Sequence, residues 1–249
     1  MAEITAALVK RLRDKTGVGM MDCKAALNEA GGDIDKAEDL LRQKGIKTAE
    51  RKAGRVANEG KVVAVTDPAK QAGGIVAVRC ETDFVVKNER FAQFCDDAAK
   101  LVMAMGIEGV DDLKAADMDG SPVEERLKEL IGVIGENMSI DAASAFKTDE
   151  TGRIGYYIHH DGHLGVMLAV TDPNMASLDV EKVDQTIADL CMQVSFTNPV
   201  SLDKTGVPEH LVERERAIYL EQVKDKPENI QEKILEGKLS AIKREYKRN

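Results

Sequence analysis

Cysteine is scarce and scattered in this 249-residue chain: Cys23, Cys80, Cys95 and Cys191 include no Cys-x-x-Cys pair, and three of them fall inside amphipathic patterns. That spacing argues against a disulfide frame or a thiolate metal site and fits small apolar fillers kept reduced. Long apolar runs are missing and Glu3 stands within the first residues, so neither a signal peptide nor a membrane span is expected, and the expected location is cytoplasmic. Basic charge is also short. Thirty-five Lys and Arg face 44 Asp and Glu, for a net charge of -9 and a pI near 5.1. A phosphate-binding surface over most of the protein is thereby excluded, and no DNA partner is expected. Gly17-Val18-Gly19 is not followed by Gly-Lys-Ser/Thr, so it is no phosphate-cradling loop, and no nucleophile elbow or metal-ligand set is present. The chain is expected to be no enzyme and to need no cofactor.

What is present is 43% hydrophobic content, enough to bury a core, on a length that suggests more than one folding unit. Ile4, Ala7, Leu8 and Leu12 share one helix face, and the pattern stops before Thr16-Gly17-Val18-Gly19. Met20 to Ala30 predicts a second helix closed by Gly31-Gly32. Asp35 with Glu38 reads as an acidic capping box for a third, with Ala37, Leu40 and Leu41 inward and Gly45 at its end. Residues 1–46 therefore form a three-helix bundle whose glycine and alanine pattern resembles ubiquitin-associated modules, which bind and do not catalyse. Met20 and Met21 are either core fillers or a polarizable surface contact at the turn. A basic linker over 47–58 carries Lys47, Arg51, Lys52 and Arg55.

The body opens with an apolar run over 61–66, a loop at Asp67-Pro68, and Ile75-Val76-Ala77-Val78 led in by Gly73-Gly74, which predicts two strands. Phe91, Phe94, Cys95, Ala98, Leu101, Val102 and Met105 then recur at helical spacing, with Asn88 placed to cap the first turn. Thr82-Asp83-Phe84-Val85 thus sits at a strand-to-helix corner. Local pattern leaves two readings open: Phe84 turns into the core while Asp83 shapes the turn, or Asp83-Phe84 projects as a wedge. Ser121 is expected as the cap of a further helix, with Pro122 at its first position and Glu124 three residues after the cap.

The hairpin-plus-helix unit recurs about ninety residues later, with apolar runs at Ile154–Ile158 and Gly165–Pro173 and a helix bearing Val183, Ile187, Leu190, Cys191 and Val194. His159, His160 and His163 lie at its tip. Adjacent histidines on a strand face opposite ways and no Cys or Glu completes a tetrahedral set, so a solvated tip or a partner contact is weighed above a metal, and no metal site is assigned. Two charged segments from Glu209 onward, separated by Lys226-Pro227 and carrying narrow apolar stripes that end at Tyr246, predict a protruding helical hairpin. The expected fold class is α+β: the ubiquitin-associated-like bundle at 1–46, the linker, duplicated core subdomains with small antiparallel sheets at 59–139 and 140–197, and the hairpin at 198–249.

Glu3-Ile4-Thr5, Leu8-Val9, Leu12-Arg13, the run from Thr16 to Leu27, Gly32-Asp33-Ile34 and Glu81-Thr82-Asp83-Phe84-Val85 occur in register, and together they resemble the translation elongation factor Ts family. The resemblance implies a guanine-nucleotide exchange factor for elongation factor Tu. It implies that Thr82, Asp83, Phe84 and Val85 enter beside the partner's nucleotide site and disturb its Mg²⁺. It implies that Met20, Met21, Asp22 and Lys24 make the N-terminal contact with the same GTPase domain. His159 corresponds to a position that meets a more distant partner domain, in a turn that carries one extra residue here. Longer family members continue past the hairpin, whereas this chain stops at Tyr246-Lys247-Arg248-Asn249, and a sheet edge left open puts a homodimer beside the monomer as an expectation. The alternative is a ubiquitin-associated-like adaptor without exchange activity, for which the bundle suffices and Asp83-Phe84 is dispensable.

Overall fold

The computed structural model describes residues 4–203, 205–224 and 227–245. The chain divides into two compact units, Met1–Ile187 and Ala188–Asn249. In the first, α1 (Ala6–Thr16), α2 (Met20–Glu29) and α3 (Ile34–Lys52) come first. They are followed by β1 (Glu59–Thr66), β2 (Ala72–Cys80), α4 (Asp83–Val86), α5 (Glu89–Met105) and α6 (Val110–Ala115). Next come β3 (Asp117–Met118), β4 (Ser121–Pro122), α7 (Val123–Ile134) and β5 (Met138–Lys147). β6 (Gly152–Ile158), β7 (Gly165–Thr171) and α8 (Val180–Thr197) complete the series, and α8 runs across the boundary between the units. The mixture of helices and small antiparallel sheets is the expected α+β class.

Thr5 starts α1 by accepting the Leu8 N–H, and Val9, Leu12, Cys23, Ala26, Leu27, Ala37 and Leu41 close into the bundle's own core. Two expectations for the third helix are corrected. Its cap is Asp33, whose Oδ1 accepts the N–H groups of Asp35 at 3.1 Å and Lys36 at 3.2 Å, so Asp35 belongs to the first turn. Gly45 does not end α3, which continues to Lys52 through the first half of the expected linker. Gly45 instead lies against Gly132 of α7, where a Cβ at 132 would overlap the Gly45 Cα. The two helices cross at backbone contact, so glycine here serves close approach and not termination.

β1, β2 and β5 form one antiparallel sheet with β2 in the centre, in a register that sets Val63 opposite Val76 and Cys80 opposite Met138. The residue period of two gives the sheet two apolar faces. Val63, Val76, Val78 and Cys80 meet Phe91, Phe94, Cys95, Ala98 and Val102 of α5. Ala64 and Ile75 meet Ile154 and Met167 of the separate β6–β7 hairpin. β5 passes through the boundary expected between 139 and 140, and its pairing with β2 makes it a strand of the first sheet.

Ser121 is also corrected. It pairs with Met118 in the β3–β4 ladder and its hydroxyl accepts from Arg42, so it is not available to cap, and α7 begins at Val123 with Pro122 in the cap position. In the second unit, α9 (Glu209–Val223) and α10 (Glu228–Glu245) pack together, with Val223 and Leu235 buried. Lys226 and Tyr246, named in the expected hairpin, lie outside the described residues, as do Glu3 and the last three residues. All four cysteines are buried.

Asp184 of α8 accepts from Arg153 of β6 and, at 2.8 Å, from Lys70 of the β1–β2 loop. The Arg153 guanidinium, aided by Lys70 and opposed by partial burial, pulls the Asp184 carboxyl down to about 2. A folded-state pKa below the unfolded one means that this stabilisation is complete above about pH 4 and is lost as the pH falls toward about 2. Asp184→Asn is expected to cost about 1–2 kcal/mol at pH 7 and to flatten that acid limb, as read by chemical unfolding across the range. Gly132→Val should cost about 3 kcal/mol by forcing α3 and α7 apart, measured in the same way.

Candidate functional site

At the end of β2 the chain leaves the sheet. Thr82 is extended, with φ -133° and ψ 157°, and Asp83 to Val86 make a single helical turn before Asn88 caps α5 by accepting the Arg90 and Phe91 N–H groups. Successive side chains on a helical turn diverge by about 100°. Val85 points into the core at 3% exposure, and Phe84 therefore points out, at 79%. Of the two readings of Phe84, the structure takes the projecting one. Asp83 is exposed beside it and accepts from Lys87 at 2.8 Å, the contact that holds its carboxyl below the usual range. The Lys87 ammonium also lies 5.9 Å from the Phe84 ring centre.

The root of this tip is braced from the α7–β5 corner. Glu136 accepts the Thr82 N–H at 3.0 Å and the Thr82 hydroxyl at 2.8 Å. Glu81 accepts the Asn137 N–H at 2.5 Å and pairs with Arg55 at 3.5 Å, and the Asn137 N–H lowers the Glu81 carboxyl. Asn137, a buried polar side chain, donates to the Arg55 carbonyl at 2.7 Å, and Lys52 donates to the Gly135 carbonyl. Cys80 donates its thiol proton to the Thr82 carbonyl at 3.2 Å, and burial pushes that thiol up to about 11, so it remains a donor. The end of α3 and the tip thus share one corner.

The second candidate contact is on the bundle. Met20 is 42% exposed and Met21 76%, with Asp22 and Lys24 exposed beside them, which resolves the two methionines as surface residues. The turn before them is held by Arg90, whose guanidinium donates to the Thr16 carbonyl at 2.9 Å and occupies the space that a Cβ at Gly17 would need. Arg90 lies in the first turn of α5, six residues after Phe84, so one side chain links the two regions.

His159 stands on a different element, the β6–β7 turn, where its Nδ1 is 3.0 Å from the Tyr157 hydroxyl and its ring meets His160 edge-on. His163 lies 3.5 Å from Glu59. Among the described residues no group of three or more His, Cys, Asp or Glu converges as metal ligands. A cleft of about 670 Å³ separates the bundle from α5 and α7, but its cations are engaged: Arg42 with Glu125 and Glu129, Arg126 with the Met118 and Asp119 carbonyls, Lys15 with Glu38. Sequence reasoning missed Arg90, Glu136 and Asn137, and it named Glu81 in the motif without its contact to Asn137. No local signal carries them, because each acts on a residue more than fifty positions away.

A family model described as elongation factor TS matches residues 81–247. An elongation factor Ts of Clostridium perfringens (strain 13 / Type A) is 42% identical over 241 residues, which is 95% of this chain and 77% of that protein. One from Methylobacterium nodulans is 44% identical over 253 residues, covering 98% of this chain and 80% of its own, and one from Clostridium acetobutylicum is 39% identical over 246, covering 97% and 79%. The chain is, by class, a translation elongation factor. It belongs to the elongation factor Ts family.

The division between tip and root is testable without a partner. Phe84→Ala is expected to leave the unfolding free energy within about 0.5 kcal/mol of the parent, whereas Val85→Ala, one residue on, should cost about 2 kcal/mol. Equal losses would show that Phe84 is packed.

Proposed function

We propose that this chain binds elongation factor Tu in its GDP form, disturbs the partner's Mg²⁺ and phosphate site, and promotes GDP release during translation elongation, in the cytoplasm. The observation that carries this reading is an exposed aromatic ring and carboxylate set on a half-buried, doubly hydrogen-bonded root. A GTPase holds its nucleotide through Mg²⁺, which neutralises phosphate charge, and through loop amides around the phosphates. A rigid apolar wedge with an adjacent carboxylate can perturb both. No bond is made or broken, so the protein acts as an exchange factor and not as an enzyme, without a cofactor.

Reciprocity sets the energetics. A protein that binds the nucleotide-free form more tightly weakens nucleotide binding by the same factor. Each tenfold weakening needs about 1.4 kcal/mol of contacts made only with the nucleotide-free form. Thr82, Asp83, Phe84 and Val85 form the wedge and its seat. Met20, Met21, Asp22 and Lys24 supply a second contact, where two polarizable side chains adapt to a helix surface. His159 is assigned a lesser contact with a more distant part of the partner.

The test is release of a fluorescent GDP from elongation factor Tu in the presence of the parent chain or of an Asp83→Ala, Phe84→Ala double variant. Acceleration by the parent and its loss by at least about tenfold in the variant is the expected result. Equal acceleration by both would remove the wedge assignment. Binding by the bundle with no acceleration by either would favour the adaptor reading.

A further inference from the structure

The last paired rung between β2 and β5 joins Cys80 to Met138. If the ladder continued in that antiparallel register, Glu81 would pair with Asn137 and Thr82 with Glu136. At those two rungs side chains replace the backbone ladder. The Glu81 carboxylate takes the Asn137 N–H, and the Glu136 carboxylate takes the Thr82 N–H. A backbone ladder would hold residues 81 and 82 in the sheet and direct the chain along the strand. A carboxylate reaching across lets the two chains splay while keeping the donor satisfied, since an unpaired N–H at a partly buried position costs free energy.

Thr82 shows the same substitution from its own side. It occupies the cap position of α4, where a threonine hydroxyl ordinarily accepts from the first turn, yet it makes no such bond. The hydroxyl donates to Glu136 instead, at 2.8 Å and 3.1 Å to its two oxygens. Glu136 thus holds the residue before Asp83 at two points, the minimum that fixes an orientation as well as a position. These bonds are charge-assisted and partly shielded from water, which makes them stronger than neutral ones.

We propose that Glu136 is a positioning residue: it aims the Asp83-Phe84 tip by replacing the final rung of the β2–β5 ladder with a two-point grip on Thr82. The inference rests on the exchange reading for its functional consequence, but its structural part does not. Glu136 touches neither partner nor nucleotide in this account and acts only through Thr82.

The experiment has two arms. The chain contains no tryptophan, so Phe84→Trp places a single fluorophore on the tip. In that background, without any partner, Glu136→Ala is expected to lower the fluorescence anisotropy by freeing nanosecond motion of the tip, and Thr82→Ser, which keeps the hydroxyl, is expected to leave it unchanged. In the second arm, elongation factor Tu loaded with fluorescent GDP is titrated with variants that retain Phe84. Glu136→Ala should lower the maximal release rate about tenfold or more while KM stays within about twofold, because misaiming by an ångström impairs the step and not the encounter. Thr82→Val, which removes only the hydroxyl arm, should fall between, and guards against a Glu136→Ala protein that does not fold. In a Phe84→Ala background, Glu136→Ala should have no further effect.

An unchanged anisotropy overturns the proposal. So does an unchanged maximal rate, or an equal further slowing in the Phe84→Ala background, since the effect would then bypass the tip. Should the parent chain fail to accelerate release, the exchange reading fails, and the anisotropy arm still decides whether Glu136 holds the tip.

Discussion

Two carboxylates crossing at the point where β2 and β5 part company govern the geometry around them. Glu81 and Glu136 each satisfy a backbone N–H on the opposite chain, and between them they let the strand turn outward without leaving a buried donor unpaired. Arg55 pairs with Glu81, and Lys52 and Asn137 close the remaining gaps between the end of α3 and the α7–β5 corner. The α4 turn can then bury Val85 and expose Phe84 from adjacent positions. Without the crossing the sheet core would survive, but the tip would have no defined direction.

The long α3 extends that order to the bundle. Its first half supplies the bundle core through Ala37 and Leu41, its middle meets α7 at Gly45 and Gly132, and its last residue reaches the corner that braces the tip. Arg90 adds a shorter connection, from the start of α5 to the turn before Met20. Binding costs conformational entropy for every group that must be ordered at the interface. Presenting both proposed contacts, Met20-Met21 and Asp83-Phe84, from one compact unit would lower that cost.

Much of the fold was legible because it rests on short-range pattern. The strands on either side of Asp67-Pro68, the Asn88 cap, the helix with Phe91 and Phe94, and the hairpin at Ile154 and Gly165 all follow from periodicity and turn chemistry within a dozen residues. The misreadings have a common cause. Gly45 and Ser121 carry strong local signals for a helix end and a helix start, and each meets a distant partner that those signals do not show, Gly132 for the one and Arg42 for the other. Phe84 could not be decided locally, because its orientation depends on Val85 finding the core and on Glu136 holding Thr82. The candidate residues were visible as motif, but the groups that touch them were not, since nothing in a linear pattern marks a contact between Thr82 and Glu136.

In the proposed complex the tip meets the nucleotide site of elongation factor Tu. The most direct measurement is photo-crosslinking with benzoylphenylalanine in place of Phe84, in complex with elongation factor Tu and GDP, followed by mapping of the linked peptide. Linkage to the segments that surround the phosphates and Mg²⁺ is the expected result. Linkage confined to a surface remote from the nucleotide, or none from position 84 while a probe at position 21 links efficiently, would contradict it.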